Sequence, residues 1–204
     1  MDFYVFRPAG GPKLIDLTNL YGDLAHLTGN MNEIDLLSRA RQGDRHAFEE
    51  VLRPVIQPAF RLALAMLGDR GAAEDAVQEM ALKGWRHRHR IRPDLGTARP
   101  WFLAIVANEC RMARRQRWWS VLRFAEPVER EAGERDLASG IDLRNQIKRL
   151  AYDDQLLLHL YYALDLPGRE VAQVLGIRMG AVKSRLHRVT RRLRSQLATA
   201  EVTS

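Results

Sequence analysis

Apolar positions along most of this chain recur every three or four residues, the period of a helix packed on one side. Strict alternation of apolar and polar residues, the mark of a half-buried strand, is rare. The pattern predicts an all-α protein. A first helix spans 32–42, with Ile34, Leu37 and Ala40 on one side, Asn32 as its N-cap and Gly43 as its stop. Asp44 caps a second helix that runs towards Leu67 and ends at Gly68-Asp69. Pro54 and Pro58 are expected to start, bend or interrupt turns within it, because proline lacks the N–H that a helix interior uses. A third helix follows from about Gly71 to His89, and Pro93, Gly96 and Pro100 mark a loop. A fourth begins near Pro100, a good first-turn residue, and continues to about Trp118. Further helices are expected at 141–151, 153–164, 168–175 and 179–198.

Charge divides these helices into two blocks. Residues 31–118 hold 16 basic and 11 acidic side chains, and residues 141–204 hold 11 and 6. Between them, residues 119–140 hold 3 basic and 5 acidic side chains, with Pro127, Gly133, Ser139 and Gly140. Such a shift reads as a flexible linker between two small helical domains, with a solvated helix as the alternative. Residues 1–30 carry Pro8, Gly10, Gly11, Pro12 and Gly29 without sustained periodicity and are expected to form a disordered extension. Residues 199–204 form a short tail.

Over all 204 residues the net charge is +7, with 46% hydrophobic residues, so the chain is globular and suited to an anionic partner. A single cysteine, Cys110, excludes an intrachain disulfide and a cysteine-rich zinc site. No apolar run is long enough to span a bilayer, and no basic start precedes an apolar stretch. A soluble cytoplasmic protein is expected.

The most informative stretch is REVAQVLGIRMGAVKSRLHRVTRRLRSQL, residues 169–197. A short helix carries Val171, Ala172 and Leu175. Gly176 then sits where the chain must turn sharply, which glycine tolerates. Ile177 can plug the space between two helices. The second helix places Val182, Leu186, Val189, Leu193 and Leu197 on one stripe, with basic residues off it. This is the pattern of a helix-turn-helix, whose basic front enters a major groove. A solvated basic helix in an ordinary bundle would share the charge but not the turn glycine or the small Ala172 at the helix crossing.

The string Gly180-Ala181-Val182-Lys183-Ser184-Arg185-Leu186-His187-Arg188 resembles the region-four signature of bacterial sigma factors of the extracytoplasmic-function (ECF) group, in the sigma-70 family. The first block agrees. Asp35-Leu36-Leu37 through Ala47-Phe48 resembles the opening of region two. AEDAVQEMALKGW at 73–85 resembles its polymerase-binding helix, and ARPWFLAIVANECRMARRQRWW at 98–119 its promoter-melting and −10-reading segment. The resemblance covers about residues 31–198, in order. Two departures stand out: Leu150-Ala151 where the family has Leu-Pro, and Ala181 where it has Thr.

The resemblance implies a contact with the clamp helices of the polymerase β′ subunit through Asp75, Gln78, Glu79 and Leu82, and a second contact with the β flap. Asn108 and nearby loop residues would touch a flipped −10 base, while Arg111, Arg114, Arg115, Arg117 and Trp118 hold the single strand. Arginines track phosphates and indoles stack on unpaired bases. Arg178, Lys183, Ser184, Arg185, His187, Arg188 and Arg192 would face the −35 element. An anti-sigma partner is a further implication. Trp101, Phe102, Ile105 and Val106 read as core. The basic run Arg86, His87, Arg88, His89, Arg90 and Arg92 includes a His-x-His pair but lacks the companions of a metal site.

The expectation is therefore an ECF-type sigma factor with no catalytic residues, no metal and no cofactor. A stand-alone helix-turn-helix regulator of the LuxR type is the alternative. It would not need the acidic helix at 73–85 or the arginine-tryptophan segment. An enzyme is disfavoured, because no nucleophile–base constellation or phosphate-cradling loop is present.

Overall fold

The computed structural model describes residues 33–124, 143 and 145–203, with 117–124 and 198–203 as backbone only. The N-terminal extension and residues 125–140 of the expected linker lie outside these residues. Among the described residues every regular element is helical. They are α1 (Glu33–Gln42), α2 (Arg45–Leu67), α3 (Arg70–Arg86), two 3₁₀ turns (Arg88–Arg90 and Pro93–Leu95) and α4 (Arg99–Phe124). Then come α5 (Tyr152–Leu158), a π-helical turn (His159–Ala163), α6 (Gly168–Leu175) and α7 (Met179–Thr203). Packing divides the described residues into two compact units, those of 33–55 with 87–98 and those of 56–86 with 99–203.

In the first unit, Leu37 and Ala40 of α1 are buried, as are Ala47, Phe48, Val51, Leu52 and Val55 at the start of α2. Ile91 from the 3₁₀ segment is also buried, and Arg41 donates to its carbonyl at 3.3 Å. Removing side chains such as Phe48 from water contributes about 1.5–3 kcal/mol each. Asp44 caps α2 as expected, its carboxylate accepting the Ala47 N–H at 3.1 Å. The other carboxylate oxygen takes Arg39 Nε at 2.9 Å. Gly43 provides the turn before it with a φ of +100°.

Pro54 and Pro58 do not interrupt α2, which runs unbroken through both. Pro54 is exposed and Pro58 half-buried, so the carbonyls left without an N–H lie towards the wet side of the helix. Val51, Val55, Ile56, Ala59 and Leu62 stay buried on either side of them. That burial offsets the missing bonds.

In the second unit, α3 packs along α4. The buried residues include Ala73, Val77 and Met80 from α3, and Phe102, Leu103, Val106 and Cys110 from α4. Trp101 and Ile105 are half-buried, the Trp101 ring lying 4.8 Å from that of Phe102. Lys83 Nζ meets Glu109 Oε2 at 2.6 Å and ties the two helices together. Burial pushes the Cys110 thiol up to about 12, so it stays a protonated packing residue. Helix α3 ends at Arg86, three residues short of its expected end, where the chain tightens into the 3₁₀ turn. Helix α4 instead runs past its expected end at Trp118 to Phe124.

The C-terminal helices of this unit share a core of Leu150, Leu158, Val189 and Leu193, with Ile147 and Leu186 packed against it. Buried Gln155 donates to the carbonyls of Lys148 (3.1 Å) and Leu150 (2.8 Å), fixing the approach to α5. The π turn that follows is gripped by two arginines: Arg61 donates to Ala163 O at 3.3 Å and Arg99 to Leu164 O at 3.2 Å. Gly176 ends α6 in the left-handed conformation, and Ile177 N–H closes back on Ala172 O at 3.0 Å. This is the sharp turn expected between the two helices, although Val174 rather than Leu175 is the deeper side chain of α6.

Two outcomes test this local chemistry. The Ala47 N–H and the Arg39 guanidinium hold the Asp44 carboxyl below the usual range. Its contribution is thus present above the unfolded carboxylate pKa and is lost as pH falls through the lowered folded value. Asp44→Asn is expected to lower Tm at neutral pH, with the gap to wild type closing in acid; a gap constant with pH overturns the assignment. Ala151, the N-cap of α5, has φ −58° and ψ 146°, which proline adopts without strain. Ala151→Pro is expected to raise stability by about 0.4–1 kcal/mol in denaturant melts.

Candidate polymerase and nucleic-acid interfaces

Helix α3 buries Ala73, Ala76, Val77, Met80, Ala81 and Gly84. The stripe left outside carries Asp75, Gln78 and Glu79, all exposed, with Leu82 half-buried one turn on. Lys83 lies 4.0 Å from Glu79 but is held more closely by Glu109, so the stripe stays acidic at Asp75 and Glu79. Its carboxylates would repel a phosphate backbone, so the stripe suits a protein surface more than DNA.

On α4, Asn108, Arg111, Arg114 and Arg115 are all exposed on consecutive turns. Arg111 Nη1 donates to Asn108 Oδ1 at 2.7 Å, so these two act as one polar group. Arg117 and Trp118 belong to the same helix, but their side chains lie outside the described residues. Tyr152, at the start of α5, packs against this row. Its ring lies 5.2 Å from the Arg111 guanidinium and 5.0 Å from that of Arg114. Its hydroxyl donates to Ala107 O at 2.8 Å. Burial, more than the charges nearby, raises its pKa above the ordinary tyrosine value, which keeps the proton on that donor. Asp153 accepts Arg111 Nη2 at 2.9 Å.

On α7, Val182, Val189 and Leu193 are buried. Lys183, Ser184, His187, Arg188 and Arg192 are exposed on the remaining surface, and Arg178 is exposed just before the helix. The Ser184 hydroxyl lies 3.2 Å from Gly180 O and donates back into its own helix. Arg185 differs from its neighbours. It sits three residues after Val182 and four before Val189, on the inner flank, where its Nε donates to Asp154 Oδ1 at 2.6 Å. Its side chain is only 27% exposed and that of Asp154 19%. His87 and His89 are exposed, and among the described residues no group of His, Cys, Asp or Glu could hold a metal ion. No helix among them is long and apolar enough to cross a membrane.

Comparison with known proteins joins these faces. Residues 40–120 match the family model for sigma-70 region 2, and residues 141–193 that for sigma-70 region 4. Over 150 residues the chain is 31% identical to the ECF RNA polymerase sigma factor SigL of Mycobacterium tuberculosis, covering 71% of this chain and 85% of the relative. The chain belongs to the ECF RNA polymerase sigma factors. It is also 28% identical to SigE of Mycolicibacterium smegmatis, across 76% of this chain and 65% of that one. Two solved structures share the fold of this sigma factor. One is RpoE of Bartonella quintana in complex with the anti-sigma factor NepR, with TM-score 0.58, 23% identity, and coverage of 74% of this chain and 96% of that one. The other is CnrH in complex with the cytosolic domain of CnrY, with TM-score 0.59, 19% identity, and coverage of 85% and 99%.

As an ECF sigma factor the protein binds core RNA polymerase and promoter DNA and directs promoter-specific initiation of transcription. Reading the sequence did not single out Tyr152, Asp153 or Asp154. An acidic pair in the first turn of a helix is the ordinary complement to the helix dipole, so nothing along the chain marked them. Only the fold shows that each meets a residue of a basic helix.

Arg185 and Arg188 of α7 are expected to separate in experiment. Arg188→Ala should leave Tm unchanged and lower the salt dependence of duplex binding by about one counterion. Arg185→Ala leaves the Asp154 carboxylate without its partner and should cost about 1–3 kcal/mol of stability in urea melts. If both variants melt like wild type, the Arg185–Asp154 pair has no structural weight.

Proposed function

We propose that the acidic stripe of α3 is the surface taken by the β′ clamp helices of core polymerase. The exposed row on α4 engages the −10 element as it opens, and α7 reads the −35 element. The observation that carries the reading is the turn at Gly176. It sets α7 against α6 so that Val182, Val189 and Leu193 are buried while Lys183, His187, Arg188 and Arg192 remain exposed. A helix with that division can enter a major groove, its cations reaching phosphates and guanine edges. The α4 row, with its arginines one turn apart, suits the backbone of a separated strand.

In this reading the protein performs no chemistry of its own and works in the cytoplasm at the nucleoid, where the polymerase makes RNA. The anti-sigma factor NepR bound to one of the fold relatives supports an anti-sigma partner as a third contact, beside the β flap. Sharing one chain between two DNA elements raises affinity through effective concentration and limits the promoter spacings accepted.

Co-elution of the purified protein with bacterial core polymerase, followed by transcription from genomic fragments, tests the reading. Discrete new transcripts are expected. Asp75→Lys/Glu79→Lys should weaken co-elution at least tenfold without changing Tm, because reversing an interfacial charge adds repulsion to the lost attraction. Unchanged co-elution removes α3 from the interface. Operator binding without polymerase would favour a stand-alone regulator of the LuxR type.

A further inference from the structure

The row on α4 already has an occupant. Arg111 and Arg114 both lie over the ring of Tyr152, and Asp153 places a carboxylate on Arg111 beside it. A flat π system under two guanidinium groups, with an anion attached to the next unit of its backbone, has the two recognition features of a nucleotide. The base is represented by the ring and the phosphate by the carboxylate. The hydroxyl of Tyr152, donating to Ala107 O, plays the part of a polar base edge.

We propose that Ala107, Asn108, Arg111 and Arg114 form a site for one unpaired base with its phosphate, and that Tyr152-Asp153 fills this site as an internal mimic, so that α5 and single-stranded DNA compete for it. This rests on the assignment of the α4 row to the −10 strand. The occupant is no loose segment. The neighbouring Asp154 holds Arg185 of the recognition helix, so the mimic is presented by the same helices that carry the −35 surface. Freeing the −10 site therefore requires α5 to leave α4 together with α6, which packs on α4, and to carry α7 with it through the Arg185–Asp154 pair.

The contact is built to be reversible. The side chains of Arg111 and Asp153 are 45% and 48% exposed, so water and salt weaken their attraction. A site closed by its own chain binds its ligand with an affinity reduced by the fraction of molecules that are open. Two cation–π contacts and one exposed ion pair correspond to a closed state favoured about five- to a hundredfold.

The test is fluorescence anisotropy of the full chain with a short, fluorescein-labelled, random-sequence DNA single strand. Tyr152→Leu/Asp153→Asn removes the π face and the charge while keeping an apolar side chain at 152. Asp153→Asn alone leaves packing untouched, and Asp35→Asn on exposed α1 controls for the loss of one negative charge. The double variant is expected to bind at least about fivefold more tightly than wild type, the single variant about twofold, and the control unchanged. Equal binding by wild type and both variants overturns the competition while leaving the −10 assignment standing. An equal gain in the Asp35→Asn control also overturns it, because bulk charge would then explain the effect. If neither wild type nor double variant binds the strand, and Arg111→Ala/Arg114→Ala is indistinguishable from them, the −10 assignment fails and the mimic with it.

Discussion

A helix that buries one stripe has only its other stripe to show a partner. Every surface of functional interest here follows from that restriction. On α3 the buried alanines, Val77 and Met80 leave Asp75, Gln78 and Glu79 outside. On α7 the buried Val182, Val189 and Leu193 leave the lysine, the histidine and most of the arginines. The core therefore does more than stabilise: it sets the angle at which each charged row leaves the helix. A substitution that rolled α7 by one residue, about 100°, would turn its basic row away from a groove even with every cation retained.

The same restriction explains what was legible along the chain. Helical spacing placed α1, α2, α6 and the turn at Gly176 close to where they stand, because each has one apolar stripe and a capping or turn residue at its end. Asp44 was readable as a cap since the bond it makes is local. Pro54 and Pro58 do not interrupt α2, because the penalty for proline is local while the buried residues around them hold the helix together through tertiary packing. Arg185 shows the opposite case: by type it matches its basic neighbours, and its pairing with Asp154, from a helix 31 residues earlier, is visible only in the fold. Pairings between distant acids and bases leave no periodic trace, which also hid Tyr152 and Asp153.

Among the described residues, the two least exposed ion pairs between helices act as ties. Lys83 with Glu109 fixes α3 to α4, and Arg185 with Asp154 fixes α7 to α5. The exposed pairs Arg45–Glu49 and Arg92–Asp94 lie on the surface, where such pairs are worth between nothing and about 1 kcal/mol. The sigma factor thus spends its internal ion pairs on connecting helices and leaves most remaining cations to solvent.

The π turn at His159–Ala163 has an arithmetic of its own. Its bonds reach five residues ahead, as in Leu164 N–H to His159 O at 3.0 Å, so it contains one more residue than an α turn of the same rise. That surplus residue sets the heading at which the chain leaves for α6. A chain one residue shorter there could wind as plain α-helix, and its downstream segment would depart rotated by about 100°. The length of this stretch is consequently fixed to the single residue, as the teeth of a gear are, although most of its side chains are free to vary.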